Sequence, residues 1–460
     1  MKTDSRGKQA RAMTDQISKP DTTIFSGRDT TEDFLFNPPL ASLCGATGTL
    51  DEAATREAMQ QAFPEVPWAD DFLREALEQA QPVTCFGTLI IRLDPVAKND
   101  ESAGNDRASR LVDVGRFVAE LSQRENGTWG ALDTESLGCF LPGKNDADTL
   151  HLAKDIQIRT RGMDSSSVSI GIASYPKADY AKAEIFENAK KALVHASFFG
   201  ADSAVIFDAV SLNISGDEFY QQGDVSGAIA ELERARKLDP VNINIINSLG
   251  VCYGVSGDTD QALNAFKKAI QIDPKEIMAY YNAGYVCGLK DRPAEALTYY
   301  QQAEAIDENV YEVAFQIGKL YLAQKDASTA KTYFEKALAL QPESWIANFH
   351  LGECCEALNI PDKAIFFYEA AVKKNPEDAG ALSALGALYA HKAENPEIST
   401  LFCKKAVEMS PENGLFHYRL GKIYVQQKEL SKAVSAFKRA MELGHPAESE
   451  INSIKAMLQL

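Results

Sequence analysis

The sequence lacks the marks of several functional classes. Its eight cysteines include no Cys-x-x-Cys pair, so their spacing offers neither a zinc ligand set nor a dithiol redox motif. Most of them, such as Cys139, Cys252 and Cys287, sit among apolar neighbours, as small buried hydrophobes in a reducing compartment do. The adjacent pair Cys354-Cys355 is the exception, read as one core and one neutral position, with a redox role as the alternative. Positive charge is scarce: 47 Lys and Arg face 65 Asp and Glu, a formal charge of -18. That balance argues against a nucleic-acid or anionic-membrane surface and is compatible with a basic partner. No apolar run reaches membrane-spanning length. Residues 1–35 are polar and contain no apolar stretch of a signal peptide, so a mobile tail and a cytoplasmic location are expected. No lysine- or glycine-rich loop of the phosphate-cradling kind is present.

What is there is a folded composition, 45% hydrophobic and 24% charged over 460 residues, enough for more than one domain. A period of 34 dominates the second half. Ala228, Ala262, Ala296, Ala330 and Ala364 follow one another at that interval, and Ala433 lies 69 further on. Gly216, Gly250, Gly284, Gly318, Gly352, Gly386 and Gly421 form a second series. Both mark places where paired helices come too close for large side chains. Phe266, Tyr300, Phe334, Tyr368 and Phe437 supply the bulk between them, and Pro240, Pro274, Pro342 and Pro376 close repeats. This pattern resembles the tetratricopeptide repeat family, a solenoid of 34-residue helical pairs. Seven repeats are expected over 209–447, followed by a capping helix over 448–460 that shields the last stacking face.

In such a solenoid the first helices line the concave surface. The fifth and ninth positions of successive repeats give a partner groove of Asn247, Tyr281, Tyr285, Phe315, Lys319, Phe349, Glu353, Tyr418 and Lys422. The aromatic run would anchor a protein or peptide. The competing reading is that some of these rings only pack against the adjacent repeat. A clamp for a C-terminal carboxylate is not complete, because Ser248 stands where an asparagine would serve and only Asn282 and Lys319 are in place.

Ahead of the repeats, 36–83 reads as short helices and 84–208 as alternating elements. Strands are expected at 84–93, 129–132, 137–141, 167–174 and 201–207, with helices at 108–121, 146–160 and 185–198. With 146–160 set aside as an extra helix, the order βαββαβ suits a ferredoxin-like α/β sandwich. The phrases FGTLIIRLDPVAKND, VSIGIASYP and FENAKKALVHASFFGADSAVIFD, in that order, resemble the GGDEF or diguanylate cyclase family, which is related to the nucleotidyl cyclases. The resemblance implies a Gly-Gly-Asp/Glu-Glu-Phe nucleotide hairpin, two acids holding Mg²⁺, and dimerisation.

The chain departs from that pattern where the chemistry would be. Asp133 and Thr134 replace the glycines, Ser136 replaces the second acid, and Arg92 falls where a metal aspartate is expected. The polar remnants are Asp94, Asn99, Asp100 and Glu135, assigned as nucleotide-binding candidates or as ordinary loop residues. The family's inhibitory RxxD window reads Arg124-Glu125-Asn126-Gly127, retaining the arginine and losing the aspartate. A metal-assisted phosphoryl transfer needs paired carboxylates, so no cofactor is expected, and Mg²⁺ only if the site is active. The sequence therefore reads as a non-enzymatic signalling adaptor binding a protein or peptide, with a homodimer through the α/β domain as a further possibility. The alternative is a diguanylate cyclase or cyclic-dinucleotide-binding regulator controlled by its repeats.

Overall fold

A computed structural model describes residues 52–95, 107–163, 167–392 and 395–458. The proposed tail at 1–35 and the candidates Asn99 and Asp100 lie outside the described residues. The chain forms two compact units, one spanning 36–265 and the other containing 266–460.

The first unit opens with α1 (Glu52–Ala62) and α2 (Ala69–Ala80). There follow β1 (Phe86–Leu93), α3 (Arg107–Arg124), β2 (Thr128–Ala131), β3 (Ser136–Pro142), α4 (Asp146–Arg161), β4 (Val168–Tyr175), α5 (Glu184–Ser197) and β5 (Ala204–Ile206). The five strands lie in the order β2-β3-β1-β4-β5. β1 is central and antiparallel to both neighbours, with Ile90 opposite Gly138 and Gly171. β5 joins parallel to β4. Alternation along β1 sends Leu89, Ile91 and Leu93 into a core with Val114 and Val118 of α3 and Ile156 of α4. Phe86 and Ile90 enter the opposite core with Phe72 of α2 and Phe186 of α5. Residues 146–160, expected to be supernumerary, instead form α4, which completes the β1-α3-β2-β3-α4-β4 unit on the same face as α3. The addition is α5 with β5. It is seated by Gly171, where any Cβ would lie 2.0 Å from the Ala189 carbonyl oxygen.

The same unit continues into α6 (Ala209–Gln221), α7 (Val225–Leu238) and α8 (Ile243–Val255). α6 begins with a capping box between Asp208 and Ser211. The core on the α5 face does not stop there. Phe207, Leu212, Leu232, Ile245 and Leu249 extend it from the sheet into these helices. Ion pairs flank the seam: Arg234 with Glu184, and Lys191 with Glu231 at 2.7 Å. The Arg234 guanidinium also lies over the Tyr180 ring at 4.9 Å. α9 (Thr259–Ile272) follows.

The second unit contains α10 (Ile277–Leu289), α11 (Pro293–Ile306), α12 (Tyr311–Ala323), α13 (Ala327–Leu340), α14 (Trp345–Ala357) and α15 (Pro361–Lys374). It ends with α16 (Ala379–His391), α17 (Pro396–Met409), α18 (Gly414–Gln426), α19 (Leu430–Glu442) and α20 (Glu448–Leu458). Side-chain caps from Asp326, Ser344, Asp378 and Asn413 open four of these helices, and prolines at the first turn open α11, α15 and α17. Successive helices pack as pairs through the expected alternation of small and large residues. The Phe334 ring lies against Gly318 and the Tyr368 ring against Gly352, where an added Cβ would come within 2.9 and 2.5 Å of ring carbon. α20 buries Ile451 and Ile454 in the core of the last pair. Both members of the Cys354-Cys355 pair are fully buried. Burial pushes the Cys354 thiol up to about 12 and raises Cys355 as well, which keeps both as inert thiols.

Candidate functional site

Two places carry candidate chemistry, and the structure treats them differently. In the α/β domain, Asp94 directly follows β1 and is buried. Its Oδ2 accepts from the Ser167 hydroxyl and the Asp202 backbone N–H, each at 2.7 Å, and its Oδ1 accepts from Ser169 at 2.5 Å. Both carboxylate oxygens are thus spent on tying β1 to β4 and to the turn before β5. Glu135 is paired with Arg107. Asp133 accepts from the backbone N–H groups of Glu135 and Ser136 at 2.7 Å each and from the Ser136 hydroxyl at 2.6 Å. Asp133 therefore forms an Asx turn that shapes the β2–β3 hairpin. Arg92 sits on β1 opposite Ser136 and Ser169.

Asp94 and Glu135, read from the sequence as nucleotide-binding candidates, are thus engaged within the fold, Asp94 by three hydrogen bonds and Glu135 by an ion pair. A metal ion would have to displace three hydrogen bonds from one and an arginine from the other, so the described residues do not fit a Mg²⁺ site. Arg124 pairs with Glu125 at 2.8 Å and lies 3.9 Å from Asp155. Lys144 and Arg124 beside Glu125 hold its carboxyl below the usual range. Between α3 and α4, Arg124 borders a cavity of about 110 Å³ that Phe117 and Arg159 also line. Arg159 is answered by Glu120 at 2.7 Å.

On the repeat face the proposed groove residues separate by depth. Tyr281, Tyr285 and Phe315 are buried. Tyr281 packs on Tyr300 and its hydroxyl accepts from Gln316 at 3.3 Å. Phe315 packs between Tyr311, Phe334 and His350. Those three rings are core residues, because the neighbouring helices close over them. Phe349 remains half-buried, leaning over Gly380 and against Tyr368. Lys319 lies over the Phe315 ring at 5.9 Å, and Glu353 meets His350 Nδ1 at 2.7 Å. Tyr418 donates its hydroxyl to Glu450 of α20 at 2.8 Å, and Lys422 is exposed. Asn247 belongs to the 36–265 unit; it is 5% exposed, and neither atom of its amide has a partner.

The sixth position was read from the sequence at Ser248 and Asn282 alone. Gln316, His350 and Arg419 occupy it in three repeats of the second unit. Arg419 reaches back over Ser383 (3.4 Å) toward Glu356 (4.0 Å), whose carboxylate also accepts the Tyr368 hydroxyl at 2.6 Å. The same 34-residue count, shifted by one, would have found these residues.

The tetratricopeptide repeat family model matches residues 243–276, 279–310, 315–379 and 400–446, and the TPR repeat model matches 216–254. Residues 216–446 are tetratricopeptide repeats. No curated protein matches the chain. Among solved structures, a tetratricopeptide repeat protein from Parabacteroides merdae is 20% identical, with a TM-score of 0.41 over 54% of this chain and 96% of that one. YrrB, a TPR protein with an unusual peptide-binding site, is 22% identical, with a TM-score of 0.36 over 40% of this chain and 95% of its own. MamA from Desulfovibrio magneticus RS-1 is 29% identical, with a TM-score of 0.33 over 36% of this chain and 94% of its own. Among the described residues, no helix is long and apolar enough to cross a membrane.

Proposed function

We propose that this chain is a non-enzymatic adaptor that binds a protein or peptide partner through the first-helix face of its tetratricopeptide repeats. In this reading the α/β domain is a ferredoxin-like, GGDEF-like module that has lost its chemistry. The observation that carries the reading is the commitment of Asp94 and Glu135, the acids that remain near the expected site, to hydrogen bonds and an ion pair inside the fold, with Arg92 where a metal aspartate would stand. The strand order β2-β3-β1-β4, with α3 and α4 on one face, supports the ferredoxin-like part. The binding surface that remains accessible consists of Phe349, Tyr418, Lys319, Glu353 and Lys422. It has two half-buried aromatic rings with charges of both signs around them, a composition suited to a peptide rather than to an apolar ligand.

The test uses the full-length chain for partner capture beside a Lys319→Glu, Glu353→Lys, Lys422→Glu variant. Capture is expected to fall at least tenfold while the thermal midpoint stays unchanged. Equal capture by both proteins refutes the groove. Incubation with GTP and Mg²⁺ is expected to yield no cyclic dinucleotide. Turnover that disappears on Glu135→Ala refutes the adaptor reading of the α/β domain.

A further inference from the structure

Where the repeats begin, one cluster of polar side chains is incomplete. Asn213 and Asp217 stand one turn apart on α6, at the fifth and ninth positions of the first repeat. Asn247 and Ser248 occupy the fifth and sixth positions of the next, on α8. Asn213 Nδ2 donates to Asp217 Oδ2 at 3.3 Å, and Ser248 acts on the Asp217 carboxyl to lower its pKa against the effect of burial. Asp217 Oδ1, Asn213 Oδ1 and both amide atoms of Asn247 are buried without a partner among the described residues. Leaving a buried polar atom unanswered costs as much as a lost hydrogen bond, so four such atoms on neighbouring turns call for a ligand.

The inventory identifies the missing group. Three of the four atoms are acceptors, and the fourth is the Asn247 Nδ2 donor. A lysine ammonium brings three donors and no acceptor. Charge points the same way. Three half-buried acids elsewhere in this unit have a cation: Arg234 for Glu184, Lys191 for Glu231 and Arg236 for Glu233. The charged side chain acting on Asp217 is Glu218, another acid, and burial raises both carboxyls. A hard divalent cation would need more carboxylates, and no metal-competent group of three His, Cys, Asp or Glu occurs among the described residues.

We infer that Asn213, Asp217, Asn247 and Ser248 form a receptor for a primary ammonium, the side chain of a lysine on the partner peptide. This inference rests on the repeats being the binding surface, and it assigns the partner a positive charge at the N-terminal end of that surface.

The first arm of the test needs no partner. n-Butylammonium and n-butanol are titrated into the full chain at pH 8 and followed by saturation-transfer NMR. The ammonium signal is expected in the wild type, reduced at least tenfold in Asp217→Asn and weakened in Asn247→Ala, with n-butanol silent throughout. No wild-type signal, or an equal one in Asp217→Asn, overturns the site. In the second arm, peptides are selected from a random-sequence display library on the full chain. Binders are expected to share a lysine whose Nε-acetylation weakens binding about tenfold in the wild type and less than twofold in Asp217→Asn. Lysine-free binders of equal affinity overturn the ammonium site and leave the groove standing. Failure to select any binder, with butylammonium still saturating, refutes the groove and keeps the ammonium site.

Discussion

Replacing Asp94 separates a structural acid from a metal ligand. The wild-type carboxylate accepts three hydrogen bonds, from Ser167, Ser169 and the Asp202 N–H, while itself buried. Bonds to a charged acceptor each contribute about 1.5–3 kcal/mol net. They do not add fully, because Ser167 can turn toward water in the variant. The Ser169 hydroxyl cannot, being 1% exposed. Asp94→Ala is therefore expected to destabilise the unit by about 3–5 kcal/mol. Asp94→Asn keeps one acceptor oxygen, and Ser169 can accept from its new amide, so about 1–2 kcal/mol is expected. The chain has three tryptophans. In a Trp345→Phe background only Trp68 and Trp129 remain, both in the 36–265 unit. Urea unfolding followed by their fluorescence then reports that unit alone, and Mg²⁺ is expected to leave every midpoint unmoved. An Asp94→Ala midpoint equal to wild type, or one that depends on Mg²⁺ in the wild type only, refutes the structural assignment.

Three more outcomes can be checked on the same protein. Asp217 is pushed up to about 7 from 3.8, so the folded state holds a proton that the unfolded state has released across that window. Stability from this group is greatest below about pH 4 and declines as the pH rises to about 7, so Asp217→Asn should gain on wild type between pH 5 and 8 in paired urea titrations. Gly352→Ala drives a methyl into the Tyr368 ring, which is 1% exposed and anchored through Glu356, and a loss of about 1–3 kcal/mol is expected by thermal unfolding. Phe349→Ala should weaken peptide binding at least fivefold with a small loss of stability, whereas Phe315→Ala, in the core, should lose about 3–5 kcal/mol.

The repeats were legible because a period of 34 leaves a mark on residue size. Gly318 and Gly352 read as sites of close approach, and Phe334 and Tyr368 are the rings that fill those approaches. What period cannot supply is depth. Tyr281 and Phe315 share the fifth position with Phe349 and Tyr418, yet packing against helices distant in sequence decides which of them keeps surface. The α/β elements were legible from their strand and helix patterns, but connectivity was not. Hydropathy does not say which face a helix covers, so α4 passed for an insertion. The partners of Asp94 were not legible for a similar reason. Asp94 reads as an acid at a strand end, and only the fold brings Ser167, Ser169 and Asp202 to it across 73 to 108 residues.

The seam between α5 and the first helices has a practical consequence for handling the chain. The repeat period begins at residue 209, and a fragment cut there would look like a clean solenoid. It would also part Phe207 from Leu212 and Leu232, and Glu184 from Arg234, leaving a greasy, half-neutralised face on each piece. α5 serves the first repeat as a preceding repeat would serve any other, giving its outer surface something to stack against. Grafting these repeats onto a different front module therefore requires carrying α5 and its strand along, so the smallest transplantable piece starts inside the sheet.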